Sequence, residues 1–289
     1  MLVNLPTILS YAEEHRCAIG SFNCPNLESL LAILDAAEEV DKPVILMFAE
    51  VHEPLLSIKD IGPIMLDYAR RAKVPVCVHL DHGEDLDYVK LALSLGFTSV
   101  MYDGSTLPYE ENLKNTKEVV SLAHEKGAGV EAELGTMGRR ESGAKEDIDL
   151  KDETKIYTDP VLAAEFVKAT GIDALACSFG TTHGIYLKQP KLDYSVISRV
   201  RELTHGIPVV MHGGSGVSEE GYRKSIEAGV RKVNYFTYMD KCGGETARRI
   251  VKKTPEDMPV FLSDITAAAR LDMKENVKSA ILKFALENH

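Results

Sequence analysis

Three histidines each stand at or just after the end of a different apolar segment of this sequence, and each is followed by glycine. They are His82 in HLDHG, His183 in FGTTHG and His212 in VVMHGG. A single histidine in such a place is more often a hydrogen-bonded residue than a metal ligand. Three of them brought together would supply three nitrogen ligands and leave positions open for water or substrate, as in catalytic zinc sites. Zn²⁺ is the first candidate, with Co²⁺, Mn²⁺ or Fe²⁺ as alternatives.

Four carboxylates accompany these histidines. Asp81 directly precedes His82, Asp103 ends the next apolar segment, and Glu131 and Glu133 lie within VEAELG. A carboxylate inside an apolar strand is costly unless it is paired. The metal, a second cation or a hydrogen-bonded ligand histidine are the possible partners. Asp103 and Glu133 are therefore candidates for a second metal site or for holding a ligand in place.

The remaining histidines are predicted to have other roles. His79 lies two residues before Asp81, deeper in the same strand, and we predict a structural role or contact with a ligand from behind. The others fall in helices, loops or the tail and are predicted at the surface: His15, His52, His124, His205 and His289.

The elements that must position these groups form one repeated alternation. Short apolar, β-branched segments occur at about 18–24, 43–49, 74–81, 98–103, 128–134, 173–179, 207–213 and 230–235. Stretches with helical periodicity lie between them, which indicates βαβ units and a parallel sheet. Eight units in a chain of 289 residues are typical of an α/β protein with a (β/α)₈ TIM barrel, whose reactive residues gather at the carboxyl ends of the strands.

The chain is predicted to be one domain, 1–289, because no linker divides it. An open doubly wound sheet is the alternative, but the glycine-rich nucleotide fingerprint is missing after the first strand. The charged segment 135–160 lacks an apolar stripe, and loops of this length are either functional or disordered.

The segment VMHGGSG predicts an anion site. Gly213, Gly214 and Ser215 follow the seventh strand, and a helix is predicted to begin at about 218. Small residues let backbone N–H groups approach an anion, and barrels often hold phosphate after strands seven and eight. The stretch VNYFT after strand eight would form the other wall of this site.

Composition excludes several classes of function. The formal charge of −11, with 33 basic and 44 acidic residues and no long basic cluster, argues against a nucleic-acid partner. No apolar run is long enough to span a membrane. The five cysteines are widely spaced, which indicates reduced thiols in a cytoplasmic protein.

Together these motifs resemble the class II, metal-dependent fructose-bisphosphate and tagatose-bisphosphate aldolase family over nearly the whole chain. The resemblance includes FN at 22–23 and the YDGS-PYEEN region at 102–112, besides the motifs quoted above. It implies a zinc-dependent barrel that reversibly cleaves a ketose (bis)phosphate to dihydroxyacetone phosphate and an aldehyde through a zinc-stabilised enediolate. It also implies one catalytic zinc per subunit, with room for a second divalent or a monovalent cation, and a homodimer or homotetramer.

Motif by motif, the resemblance assigns roles to individual residues. His82, His183 and His212 would bind zinc, Asp81 would be the acid/base at the hydroxyl of the bond being cut, and Glu141 the proton-transfer glutamate. The sugar phosphate would be held by Gly184, Gly213, Gly214, Ser215, Asn234, Tyr235, Phe236 and Thr237.

The chain departs from the family pattern at two places. Phe236 stands where the family usually has a small or polar residue, and the C-terminus KFALENH lacks the family's phosphate-binding Arg segment. Another metal-dependent sugar-phosphate barrel enzyme, such as an epimerase, is one alternative. A non-catalytic homologue that binds sugar phosphate is the other, although Asp81 and the three histidines are present.

Overall fold

The computed structural model describes residues 1–135, 157–182, 184–186 and 189–287. The β-strands in these ranges are β1 (Leu2–Val3), β2 (Ile19–Asn23), β3 (Val44–Ala49), β4 (Val76–Gly83), β5 (Ser99–Tyr102), β6 (Gly129–Leu134), β7 (Ala174–Cys177), β8 (Val209–Met211) and β9 (Val230–Tyr235). The α-helices are α1 (Leu5–His15), α2 (Leu27–Glu39), α3 (Ile58–Arg71), α4 (Leu86–Leu95), α5 (Tyr109–Glu125), α6 (Pro160–Thr170), α7 (Tyr194–Leu203), α8 (Glu219–Ala228), α9 (Thr237–Lys253) and α10 (Leu262–Phe284). No helix in the part of the chain that the structure describes is long and apolar enough to cross a membrane.

The strands β2 to β9 form a closed parallel barrel. Each pairs with the next in the sequence, and β9 pairs with β2 to complete the ring. The two-residue strand β1 pairs with the beginning of β4, where Leu2 lies beside Val76. The predicted (β/α)₈ barrel is confirmed, and its eight strands coincide with the eight apolar segments of the sequence. The short strand β1 was not predicted.

Helix α1 closes the amino-terminal end of the barrel. Asn4 begins this helix by accepting the Thr7 N–H at 3.1 Å, and Pro6 occupies its first turn. The buried face of α1 packs against inward residues of the strands. This lower core consists of Leu5, Ile8, Leu9, Ala12, Cys17, Ile19, Ile45, Met47, Cys77, Ala174, Ala176 and Val210. A second, larger core fills the space between the barrel and the surrounding helices.

The interior of the barrel changes from apolar to polar along its axis. Above the lower core, the strands contribute buried polar side chains, including His79, Ser99, Glu131 and Lys232. A buried polar group must be paired to be tolerated. The carboxyl half of the barrel is therefore built to hold a hydrogen-bonded network, while burial of apolar surface at the other end supplies stability.

Helix α1 forms a plug at the amino-terminal end of the barrel, so we expect a substitution in its buried face to lower the stability of the fold. Leu9 is 1% exposed, and replacing it by alanine should lower the free energy of unfolding by about 2–5 kcal/mol because a cavity remains. Ser10→Ala, at an exposed position on the same helix, is the control and should change stability by less than about 0.5 kcal/mol. Guanidinium unfolding curves measure both. Equal effects of the two substitutions would contradict the packing role of α1.

Candidate active site at the mouth of the barrel

The end of β4 is irregular, and the irregularity turns two adjacent side chains toward one cleft. Consecutive residues of a regular strand point to opposite faces. The pairing of β4 with β5 shifts register between Leu80 and Gly83, and His82 has a φ of 46°, in the left-handed region. This is a β-bulge, a feature that commonly redirects side chains beside active sites. Asp81 and His82 consequently both line the cleft.

Glycine is required after two of the histidines for steric reasons. A Cβ on Gly83 would lie 2.7 Å from the carbonyl oxygen of Met101. Gly213 has a φ of 61°, and a Cβ there would lie 2.3 Å from the carbonyl oxygen of Thr182. The His-Gly pairs noted in the sequence therefore mark places where the backbone turns sharply against a neighbouring segment.

His82 and His212 face each other across the mouth of the barrel. Nε2 of His82 lies 3.0 Å from Nδ1 of His212. Their opposite ring nitrogens each lie 2.7 Å from a carboxylate oxygen, Nδ1 of His82 from Asp103 and Nε2 of His212 from Glu131. Burial opposes ionisation of both acids, but Lys232 and His212 hold the pKa of Glu131 well below its usual range. The hydrogen bond from His82 does the same for the pKa of Asp103.

One positive charge is required between the facing nitrogens. The outer ring nitrogens donate to carboxylates, so two uncharged rings would direct lone pairs at each other. Burial disfavours the charged ring, but the carboxylates of Asp81 and Asp103 outweigh it and raise the pKa of His82 to about 10. Burial and the neighbouring His82 lower the pKa of His212. A proton on Nε2 of His82 therefore supplies the charge in metal-free protein.

A metal ion is the other cation that this arrangement fits. Asp81, His82 and His212 present ligand atoms within 4.8 Å of one another, as do His82, Asp103 and Glu133. Metal-binding histidines usually donate their second nitrogen to a carboxylate, which fixes the ring and its tautomer. His82 and His212 both have this arrangement, so the residues present suit a transition metal with imidazole ligands.

A buried ion pair lies directly beneath the histidines. Nζ of Lys232 is 2.8 Å from Oε2 of Glu131, and both side chains are fully buried. Lys232 also donates to Oδ1 of Asn234 at 2.8 Å. His79 occupies the same layer, with Nδ1 2.6 Å from the Ser99 hydroxyl. The predicted structural role of His79 agrees with this buried position.

The carboxylate of Asp81 accepts hydrogen bonds from two amides. The side-chain N–H groups of Asn23 and Asn234 each donate to one of its oxygens at 3.1 Å. Burial opposes its ionisation, but the positive charges of His82 and Lys232 hold the pKa of Asp81 well below its usual range. A fixed, ionised carboxylate beside a cation site is equipped to accept a proton from a bound substrate.

Of these groups, Asp81, His82, Asn23 and Asn234 line one cleft with a volume of about 270 Å³. His212, Glu131 and Lys232 are fully buried next to it. One wall comes from the segments after β7, β8 and β9 and includes Gly184, Gly213, Ser215, Tyr235, Phe236 and Thr237. The other wall follows β3 and β4, consists of Ala49, Glu50, Val51, His52 and Glu84, and meets the first where His52 packs near Phe236.

The wall after β8 and β9 suits an anion. Two backbone N–H groups join the segment after β8 to the end of β9. Gly214 donates to the Asn234 carbonyl at 3.0 Å, and Phe236 donates to the Ser215 hydroxyl at 3.1 Å. Helix α9 begins at Thr237 without a side-chain cap. The first N–H groups of such a helix have no partner within the helix and favour negative charge.

Most residues singled out in the sequence line this cleft or are buried next to it. Asp81, His82, Asp103 and His212 contact one another directly or through one neighbour, and Oε2 of Glu133 lies 3.6 Å from Nδ1 of His212. The predicted phosphate-binding residues lie along one wall, with Gly214 in the same loop. His183 and Glu141 lie outside the residues that the structure describes, so their roles stay predictions.

The prediction that His52 lies at the surface is wrong. His52 is 8% exposed, because the 3₁₀ turn Glu50–His52 places its ring 5.1 Å from that of Phe236. That contact joins segments far apart in the sequence, so no local pattern reveals it. Asn23 and Glu50 were also missed as site residues. Both stand at the carboxyl ends of predicted strands, and applying the strand-end rule to every strand would have found them.

Comparisons with known proteins agree with this geometry. Residues 3–289 match the family model described as fructose-bisphosphate aldolase class-II. The chain is 38% identical over 294 residues to a fructose-bisphosphate aldolase of Staphylococcus aureus, covering 99% of this chain and 98% of that protein. It is 40% identical over 259 residues to a fructose-bisphosphate aldolase of Geobacillus stearothermophilus, covering 88% of this chain and 87% of that protein. Among solved structures, the YdjI aldolase from Escherichia coli K12 superimposes with a TM-score of 0.85 at 33% identity, covering 98% of this chain and 97% of that one.

The facing histidines predict an unusual titration. In protein freed of metal by EDTA, His82 should remain an imidazolium through neutral pH and titrate near pH 10. Asp103→Asn should lower that midpoint because one stabilising negative charge is lost. Asp87→Asn, an equal change of charge at an exposed position of α4, is the control. NMR of the ring nitrogens measures the midpoint, and titration of His82 at the ordinary value of about 6.5 would contradict the arrangement.

Proposed function

The chain belongs to the class II fructose-bisphosphate aldolase family, and we propose that the cleft at the barrel mouth is its active site, with Zn²⁺ as cofactor. The protein is an aldolase, a carbon–carbon lyase. The reaction proposed for this cleft is reversible cleavage of a ketose phosphate to dihydroxyacetone phosphate and an aldehyde. The observation that carries the proposal is the pair of facing nitrogens of His82 and His212 beside the carboxylate of Asp81.

In this proposal His82, His183 and His212 bind the zinc ion. Asp103 and Glu131 accept the outer N–H groups of His82 and His212, which keeps the inner nitrogens directed at the metal. The metal, when bound, acts as a Lewis acid that stabilises negative charge developing on the substrate's carbonyl oxygen. Asp103 and Glu133 could bind a second cation, because with His82 they form a second group of close ligand atoms.

Asp81 is proposed as the base for bond cleavage. It accepts the proton of the hydroxyl group on carbon 4 of the ketose phosphate, and carbon 4 becomes the carbonyl carbon of the aldehyde. The bond between carbons 3 and 4 breaks, and its electron pair stays with the dihydroxyacetone phosphate fragment. Asn23 and Asn234 hold the carboxylate in place during this step.

The product fragment then needs a proton at carbon 3 and a site for its phosphate. Glu141 is proposed as the donor of this proton, on the basis of its place in the family's motif. The phosphate is proposed to bind Gly184, the loop Gly213–Ser215 and residues 234–237. This assignment is supported by the uncapped start of α9 and by the cleft position of Ser215.

We further propose a single domain of residues 1–289 that assembles as a homodimer or homotetramer in the cytoplasm. Met258, Phe261 and Leu262 are 57%, 59% and 73% exposed, which suits contact with another copy. All five cysteines are free, as expected in a reducing compartment.

If the cleft binds zinc as proposed, the protein should catalyse one half of the reaction, proton exchange on dihydroxyacetone phosphate, without any aldehyde. Zinc-loaded protein should exchange a C–H proton of dihydroxyacetone phosphate with solvent, and EDTA should abolish the exchange because the developing charge loses its stabilisation. Deuterium incorporation followed by NMR measures it. His82→Ala and His212→Ala should lower zinc content and exchange together, whereas His124→Ala, at an exposed histidine, should change neither. Undiminished exchange in both site variants would refute the metal assignment.

The role of Asp81 predicts a separation of chemistry from metal binding. Asp81→Ala should reduce kcat for cleavage by about 10²–10⁴-fold, as expected for loss of a general base, with zinc content near that of the wild type. Asp87→Ala removes an equal charge from an exposed position and should leave kcat unchanged. Cleavage assays and zinc analysis on the same samples distinguish a base from a metal ligand. Loss of bound zinc in Asp81→Ala would mean that Asp81 is a ligand.

A further inference from the structure

The wall of the cleft after β3 and β4 adjoins the proposed base. Ala49 pairs with Asp81 in the sheet, and the turn Glu50–His52 follows Ala49 directly. Glu84 stands three residues beyond Asp81. If the phosphate of dihydroxyacetone phosphate lies against the segments after β8 and β9, the fragment released as aldehyde must extend past Asp81 toward this wall. We call Glu50, Val51, His52 and Glu84 the aldehyde wall.

The aldehyde wall carries two carboxylates. Among the described residues that line the cleft there is no lysine or arginine. Glu50 and Glu84 both line it, beside Asp81. Burial raises the pKa of Glu50, while the backbone N–H groups that donate to its carboxylate act in the opposite direction.

The Glu50 carboxylate is fixed in place. Its Oε2 accepts the backbone N–H groups of Glu84 at 2.8 Å and Asp85 at 3.3 Å. It therefore joins the turn after β3 to the start of α4. A phosphate at this wall would approach a carboxylate that cannot swing away without leaving two N–H groups unpaired.

His52 adds an aromatic ring to the wall and lies near two phenyl rings. The ring of His52 lies 5.1 Å from that of Phe236 and 6.1 Å from that of Phe48. A phenyl ring offers no hydrogen-bond donor to a phosphate. An apolar ring next to carboxylates suits a sugar chain, whose C–H groups can pack on the ring while its hydroxyl groups donate to the acids.

We propose that this site takes an uncharged, polyhydroxylated aldehyde, so that the ketose cleaved carries a phosphate at carbon 1 and none at its other end. Like charges close together in a partly buried site repel, and the carboxylates of Glu50 and Glu84 exclude a second phosphate in this way. The hydroxyl groups of a neutral aldehyde instead find acceptors in these carboxylates, of which that of Glu50 is fixed. This inference rests on the proposed aldolase reaction and identifies its substrate class.

Matched pairs of aldehydes test the inference on the zinc-loaded wild-type protein. Condensation with dihydroxyacetone phosphate is compared for glyceraldehyde and glyceraldehyde 3-phosphate, and for erythrose and erythrose 4-phosphate. We expect kcat/KM to be at least tenfold higher for the neutral member of each pair. Preference for the phosphorylated members, in protein that exchanges the C–H proton of dihydroxyacetone phosphate, would overturn this inference and leave the proposed function standing. Absence of that exchange would overturn both.

Two variants test whether the named carboxylates cause the preference. Glu50→Gln keeps an acceptor oxygen for the two N–H groups, and the double variant with Glu84→Gln removes both charges. We expect the double variant to raise kcat/KM for the phosphorylated aldehydes at least fivefold, and Glu50→Gln alone to give part of that gain. Glu125→Gln, exposed at the end of α5 and at the opposite end of the barrel, should leave both values unchanged. No gain in either cleft variant would overturn the assignment to these carboxylates.

Discussion

The contact between Glu131 and Lys232 inside the barrel is the constraint on which the site depends. Removing one partner of a fully buried ion pair typically costs about 3–5 kcal/mol, because the other charge stays buried without compensation. Here the two partners also hold the two halves of the site. Glu131 accepts the outer N–H of His212, and Lys232 orients Asn234, whose amide group donates to Asp81. The cation site and the proposed base are therefore positioned by one charge pair.

Such a polar interior is possible because stability is supplied at the other end of the barrel. Helix α1 packs against inward apolar residues of the lower strands, and the outer helices bury a larger core around the barrel. The upper interior can then contain ionised groups, provided that each has a partner. The barrel separates the region that stabilises the fold from the region that performs chemistry, as expected for this architecture.

Sequence reasoning was most successful where the evidence is local. Alternating apolar and helical segments identified the barrel, and the strand-end rule brought Asp81, His82 and His212 to one edge. It could not show that Asp81 and His82 share a cleft, because adjacent strand residues ordinarily diverge and the bulge that turns them together depends on pairing with β5. His52 was misplaced for a related reason, since its burial against Phe236 joins the ends of β3 and β9. The plug formed by α1 was likewise invisible, because its apolar face matches that of any amphipathic helix.

The hydrogen bonds of Glu50 have a consequence for how this barrel could change its specificity. Glu50 lines the cleft, and its carboxylate also accepts the backbone N–H groups at the end of β4 and the start of α4. A direct exchange for lysine or arginine would add a cation for a phosphate but leave two N–H groups without an acceptor. An evolutionary or engineered path toward phosphorylated aldehydes is therefore easiest through a neutral acceptor at this position, with the cation introduced from a different segment. The carboxylate proposed to select the aldehyde is therefore also the one that satisfies the local backbone, so a substitution at this position affects both.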